Sequence, residues 1–249
     1  MSVEIIEILG RANEGTTAPF ICRGNDKQIY FVKGMRAGRR SQICEWIAGC
    51  LAQKLQLPIA PFNVVHVPSA FLEKNTYRDV TQLGIGLAFG SLRQEYTIEV
   101  EPNHLHEIPD TLQQAIFAYD WWIQNMDRTL TEQGGNPNLL WRLKAIDPSS
   151  TRLVVIDHNL AFDKNFCKQD FIELHIFRKQ WVILSTDKAI QKHYNRLFLE
   201  ALKDWDAICN SVPNEWWFID IEQTIPVDFD LNAIYDQLIH CKNTAFWDK

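Results

Sequence analysis

Asp127, Asn136, Asn138 and Asp157 are the residues of this chain whose types and spacing could do chemistry together. The first three fall in the stretch NMDRTLTEQGGNPNLLW, which begins at Asn125 and ends at Trp141. It follows a long apolar helical pattern and precedes two short β-type runs, the second ending in Ile156-Asp157-His158. The order helix, loop with Asp and Asn, strand, turn, strand, Asp is the order phosphoryl transfer needs. One carboxylate orients a hydroxyl nucleophile, while an amide oxygen and a second carboxylate hold the magnesium that bridges a triphosphate. Adjacent strands can bring Asn138 and Asp157 to one end of a hairpin. Magnesium keeps several waters, so two protein oxygens suffice. Asn136 is the alternative amide. Each of these residues alone is an ordinary turn former, and the ordered set carries the reading.

Upstream residues fit the same chemistry. Lys33 ends the apolar run Ile29–Lys33, where kinases place the lysine that contacts the ATP phosphates; taken alone, a lysine there is a solvated charge. Glu45 lies on the next helix, on a side shared with the small residues Ala48, Gly49 and Ala52. It is either an exposed helix glutamate or the partner that holds Lys33 toward the phosphates. The turn from Asn13 to Thr17 offers Gly15, Thr16 and Thr17, whose N–H groups and hydroxyls could cover phosphates, although it has neither a G-x-G-x-x-G nor a Walker A pattern. An adenine ring is expected against the backbone at Phe89 and Gly90. Arg128 either contacts a phosphate or fixes its loop, and His158 either orients Asp157 or is structural. His104 and His106 have no partner cluster for zinc, Ser149 and Ser150 have no neighbouring histidine, and the pairs Trp121-Trp122 and Trp216-Trp217 read as packing.

Those side chains need elements to hold them. The first third is β-rich: Val3 to Leu9, Phe20 to Arg23, Gln28 to Lys33 and Asn63 to Val67 read as strands, with a turn at Gly24 to Lys27. Ser41 is the expected N-cap of a helix running to about Leu55, with Ile43, Ile47, Cys50 and Leu51 on one face. The small, apolar stretch from Gly84 to Ser91 reads as a connection between lobes. Beyond it come a helix from Thr111 to Gln124, two strands (Leu139 to Leu143 and Leu153 to Ile156) around a turn at Asp147 to Ser150, and several helices from Phe171 onward. The expected fold is α+β and bilobal, protein-kinase-like. A small β-rich nucleotide-binding lobe takes residues 1–90 and a mainly helical catalytic lobe takes residues 91–249, with ATP between them.

The strand ending FVKG, the helix QICEWIAGCLAQKL followed by QLPIAP, the loop NMDRTLTEQGGNPNLLW and the strand LVVIDHNLAF together resemble the HipA-like kinases. These are relatives of the toxin kinases of bacterial toxin–antitoxin systems and share a distant kinase-like fold with the phosphoinositide kinases. The resemblance spans roughly residues 10–165. It implies an ATP- and magnesium-dependent serine/threonine kinase with Lys33 on the phosphates, Asp127 as catalytic base, and Asn138 and Asp157 on the metal. Three features depart from the family pattern. The loop from Asp127 to Asn138 is longer than the usual D-x-x-x-x-N, the Gly-rich loop is reduced, and sequence for the extra amino-terminal subdomain of full-length HipA is lacking. An antitoxin partner therefore has no support in the sequence. Other readings on the same scaffold are a lipid or small-molecule kinase and a nucleotide-binding pseudokinase.

Composition narrows the remaining choices. The chain has 249 residues, 46% hydrophobic and 22% charged, which excludes disordered and fibrous classes. Its net charge of −6 lacks the basic field of direct nucleic-acid binding. The clusters of Lys and Arg that read anionic membranes are likewise missing. Six cysteines without a C-x-x-C pair read as reduced, core-filling thiols. The acidic, short apolar run at the start is no signal peptide, and a cytoplasmic protein acting on a protein substrate is the expectation.

Overall fold

Lys33 stands at the end of the third of five strands that close into a barrel. The computed structural model of the chain describes residues 3–12, 17–132, 134–144 and 151–248. The chain divides into two compact units. The first comprises residues 1–46, 60–95 and 211–229, and the second residues 47–59, 96–210 and 230–249. The fold is mixed α+β, with its barrel in the β-rich amino-terminal part.

In the first unit, β1 (Val3–Arg11), β2 (Phe20–Gly24), β3 (Ile29–Lys33), β4 (Phe62–Val67) and β5 (Gly86–Leu92) run in the order β1-β2-β3-β5-β4. Parallel pairing of Val3 with Val65 closes the ring. Alternation builds its interior: Phe20 and Cys22, Tyr30 and Val32, and Val65 and Val67 point inward at every second position. Ile5, Leu83 and Ala88 complete that core. The stretch expected as a connection is therefore a strand. β5 pairs with β3 on one side and β4 on the other, and its small residues answer to packing. A Cβ on Gly90 would lie 2.7 Å from Val65 Cγ1. The segment 211–229 braces β5 from elsewhere in the chain: Trp216 Nε1 donates to the Leu87 carbonyl at 2.9 Å, and Glu215 accepts from the Leu87 N–H at 2.7 Å.

After β3 the chain turns at Gly34, and helix α1 (Arg39–Lys54) begins. Ser41 is not its N-cap. The helix starts two residues earlier, and Ser41 is buried within it, its hydroxyl without a hydrogen-bond partner among the described residues. The helix also lacks a single apolar face. Residues 41–45 and 47–49 are all buried, so Glu45 is interior rather than exposed. A short helix, α2 (Ser69–Lys74), follows β4.

The second unit holds a three-stranded sheet of β6 (Thr97–Glu99), β7 (Leu139–Arg142) and β8 (Leu153–Val155), in that order. The turn expected at Asp147 to Ser150 lies outside the described residues. Helix α3 (Asp110–Trp122) precedes β7, and α4 (Lys168–Leu174), α5 (Trp181–Thr186), α6 (Lys188–Ala201), α7 (Trp205–Asn210) and α8 (Leu231–Ile239) follow β8. From Ile116 to Trp122 every residue of α3 is buried, so this helix forms the axis of the unit rather than one of its faces. The tryptophans pack as expected: Trp122 and Trp216 are fully buried, and Trp121 lies 4.8 Å from the Trp181 ring. All six cysteines are free thiols. Cys167 is exposed and Cys50 intermediate, while the other four are buried. No helix among the described residues is long and apolar enough to cross a membrane.

Backbone crowds backbone beside Lys33. The Leu83 carbonyl accepts from Met35 N–H at 2.9 Å, and a Cβ on Gly34 would sit 2.0 Å from that same oxygen. Gly34→Ala is expected to displace the end of β3 and destabilise the protein by roughly 1–3 kcal/mol, read as a lower midpoint in urea denaturation.

Candidate active site

Asp120 is a lone carboxylate in the buried last turn of α3, and removing it from water demands partners. It has four hydrogen-bonding contacts. Arg128 Nε donates to Oδ2 at 2.7 Å and His175 Nε2 contacts that oxygen at 3.1 Å, while Asn125 Nδ2 (2.8 Å) and an Arg128 terminal nitrogen (3.4 Å) donate to Oδ1. His175 Nδ1 accepts from the Phe177 N–H at 3.0 Å, which fixes the neutral ring with its proton on Nε2, directed at Asp120. Asp120, Arg128 and Asn125 are fully buried.

Arg128 carries this anchorage into the loop. Its Nη1 donates to the carbonyls of Asn138 at 2.6 Å and Ile156 at 3.3 Å. Of the two roles open to Arg128 in the sequence, the structure shows the one that fixes the loop. Asp127, next in the chain, is half-buried. Its Oδ2 accepts from Asn138 Nδ2 at 2.8 Å and from Asn136 Nδ2 at 2.9 Å. Its Oδ1 has no hydrogen bond among the described residues.

The long spacing from Asp127 to Asn138 has a local explanation. Thr129 N–H donates to the Asn136 carbonyl at 2.9 Å, and Asn136 N–H donates to the Thr129 hydroxyl at 3.2 Å. Within that stem, Thr131 and Gly134 also pair. The stem thus closes off the loop, and Thr129 meets Asn136 directly. Along the path that remains, only Arg128, Thr129, Asn136 and Pro137 stand between Asp127 and Asn138. That is the four-residue gap of the D-x-x-x-x-N pattern.

Asn138 and Asp157 flank paired strand ends. Leu139 faces Val155 in the ladder, and Ile156 N–H donates to the Asn138 carbonyl at 3.1 Å. Both residues have left-handed backbones, at φ 49° and φ 57°, a region that Asn and Asp tolerate better than most residues. The amide nitrogen of Asn138 is committed to Asp127, which makes its oxygen the atom that could take a cation. The Asp157 carboxylate, at the neighbouring strand end, is the second hard oxygen that could serve magnesium. No group of three His, Cys, Asp or Glu able to hold a metal lies among the described residues. Burial raises the pKa of Asp127; the amide bonds from Asn138 and Asn136 oppose that, and the Asp157 charge adds to it.

In the first unit, Lys33 Nζ donates to Glu45 Oε1 at 2.5 Å, and both residues are buried. Gln42 Nε2 donates to the Lys33 carbonyl at 2.6 Å and fixes the strand end. Gly15 and Thr16 lie outside the described residues, and Thr17 is half-buried in the turn after them. Phe89 and Gly90 are interior. Phe89 pairs with Lys33 and Val64, and Gly90 with Val32 and Asn63. An inner antiparallel strand spends its N–H and C=O groups on both neighbours, so the backbone expected to meet an adenine is already in the ladder. His158 packs edge-on against Tyr119 at 5.8 Å.

The sequence model of the HipA-like kinases matches residues 5–249, nearly the whole chain. The chain belongs to the HipA-like kinase family. A comparison with curated proteins finds no match. Family membership supports a phosphotransferase and, in general terms, ATP with a divalent metal. The Asp120 cluster was missed in the sequence. Its signal was a carboxylate inside the apolar run Phe117 to Ile123, a position that requires a buried cation. His175 gave no signal, because its partner is fifty-five residues away.

The cluster has a pH signature. Burial lowers the His175 pKa below its usual value. Burial raises that of Asp120, but the Arg128 charge and then His175 outweigh it and hold the carboxyl well below the usual range. The unfolded chain therefore binds protons more readily than the folded one. The stability His175 contributes is complete above the ordinary histidine pKa of ~6.5 and is lost as pH falls below it, with Asp120 acting in the same direction at lower pH. Calorimetry between pH 7 and pH 5 is expected to show a falling melting temperature. His175→Gln, which cannot take up a proton, should show a shallower fall; an equal slope would contradict the neutral buried ring.

Proposed function

We propose that this HipA-like chain transfers the γ-phosphate of ATP to a hydroxyl, of serine or threonine on a protein, using a bilobal kinase-like fold. The observation that carries the reading is the double amide clamp on Asp127, made possible by the Thr129–Asn136 stem that restores the kinase spacing. With Oδ2 held by Asn136 and Asn138, Oδ1 is the atom left to accept the proton of the attacking hydroxyl. As that proton moves to Asp127, the hydroxyl oxygen bonds to the γ-phosphorus, the bond from phosphorus to the β,γ-bridging oxygen breaks, and ADP leaves. Asn138 and Asp157 would hold magnesium, which when bound spreads the charge developing on the transferred group. Lys33 contacts the phosphates and Glu45 holds it in place, a pairing that kinases of other families also use. Phe89 and Gly90 take no part in adenine binding in this reading. Asn136 is a partner of the base rather than a metal ligand, and cytoplasmic action on a protein is retained.

Incubation with labelled ATP and magnesium, with and without cell lysate, tests this. Label in a protein band supports protein phosphorylation, label in lipid or small molecules redirects the acceptor, and no label at all rejects the kinase. Asp127→Asn is expected to lower transfer by ~10²–10⁴-fold, and Asp157→Asn to abolish it, each with an unchanged far-UV circular dichroism spectrum. Wild-type turnover in the Asp157 variant would sink the metal assignment.

A further inference from the structure

The guanidinium of Arg128 touches the supports of every group assigned above to the second unit, yet it is fully buried and meets no solvent. One edge, Nε and a terminal nitrogen, is fixed on the Asp120 carboxylate. The other terminal nitrogen reaches three backbone carbonyls: Asn138 most closely at 2.6 Å, then Ile156 at 3.3 Å and Pro137 at 3.5 Å. The first belongs to the residue whose amide both clamps Asp127 and offers an oxygen to a cation. The second belongs to the residue immediately before Asp157. The peptide groups held in this way adjoin the two left-handed positions at Asn138 and Asp157, conformations that persist only where the surroundings enforce them. The backbone carbonyl of Arg128 is fixed as well, accepting from the Ile176 N–H at 3.1 Å.

We propose that Arg128, anchored on Asp120, is a positioning residue that sets the metal-binding geometry of Asn138 and Asp157 from behind the site. The inference rests on the kinase reading and adds to it a source for the site's metal affinity. A planar guanidinium suits this place because the carboxylate on one edge and the carbonyls of Asn138, Ile156 and Pro137 on the other must be served at fixed angles. Lysine keeps the charge but is a single point without a fork. His175 and Asn125 complete the Asp120 shell and keep its carboxylate from rotating away from the fork. Groups that stand behind metal ligands in this manner typically control affinity by ~10–100-fold when removed.

The test is a titration of Mn(II), as a spectroscopic stand-in for magnesium, followed by electron paramagnetic resonance in the presence of a non-hydrolysable ATP analogue. Wild type is compared with Arg128→Lys and with the double variant Asp120→Leu/Arg128→Met. The double variant replaces the buried ion pair with apolar side chains and leaves no uncompensated charge, a change that proteins often accept without loss of stability. Each protein is measured below its own melting temperature. Both variants are expected to bind protein-associated Mn(II) about 10–100-fold more weakly than wild type, with the melting temperature of the double variant near that of wild type. A merely structural Arg128 would lower the melting temperature and leave the affinity of the folded protein alone. Binding within about two-fold of wild type in either folded variant would overturn the positioning role, set against the ten-fold or greater loss expected. Wild type that binds no Mn(II) with the nucleotide analogue would instead overturn the kinase reading beneath it.

Discussion

A carboxylate cannot lie in the buried last turns of a helix without being compensated, and the second unit is organised around that requirement. Asp120 calls for a cation. Arg128 supplies it, but a guanidinium in the interior has N–H groups of its own to satisfy. It finds them partners in the carbonyls at the start of β7 and the end of β8. The chain of obligations therefore runs from the helix axis to the loop and on to the strand ends, each link forced by the one before it. Removing one partner of such a pair typically costs about 3–5 kcal/mol, because the other is left charged and buried. Fold and site share this one interaction, so the loop cannot wander without exposing an unpaired charge.

The first unit answers a similar problem by different means. Lys33 is drawn inside at the end of a barrel strand and is neutralised by Glu45 from α1. Gly34 lets the chain turn against Leu83 at a distance no side chain would allow. The carboxylate lies in a part of α1 where every residue from Ser41 to Glu45 is buried. In both units a charge sits where water does not, and in both a second charge on a neighbouring element fixes its position.

Strands β1 to β4, α1 and α3 were legible in the sequence because each has a periodic apolar pattern bounded by turn residues. Asp127, Asn138 and Asp157 were singled out because their types and order suit one chemistry, and the structure joins the first two through a side-chain hydrogen bond. The Lys33–Glu45 contact was one of two readings open to Glu45, and strand and helix order pointed to it. What failed did so for local physical reasons. Ser41 is a good cap by type, but the helix begins at Arg39 and carries it into the interior. The run from Gly84 to Ser91 looked like a linker because small residues serve flexible chain and tight barrel packing equally well. His175 and the segment 211–229 act through contacts far away in sequence, which no short-range pattern reports. Asp120 stood in plain view as a misplaced charge, with its partner only eight residues on.

The loop between Thr129 and Asn136 carries a lesson about counting. Two hydrogen bonds at its stem bring Asp127 and Asn138 within reach of each other whatever the number of residues beyond them. In such a scaffold the interval between a carboxylate and its neighbouring amide is set by where the stem closes, not by the length of chain in between. The roots of the loop are not free: Leu130 is tied to Leu174 and Arg178, and Gly135 lies against the Thr129 carbonyl. Variation belongs at the tip beyond those ties, where it leaves the clamp on Asp127 undisturbed.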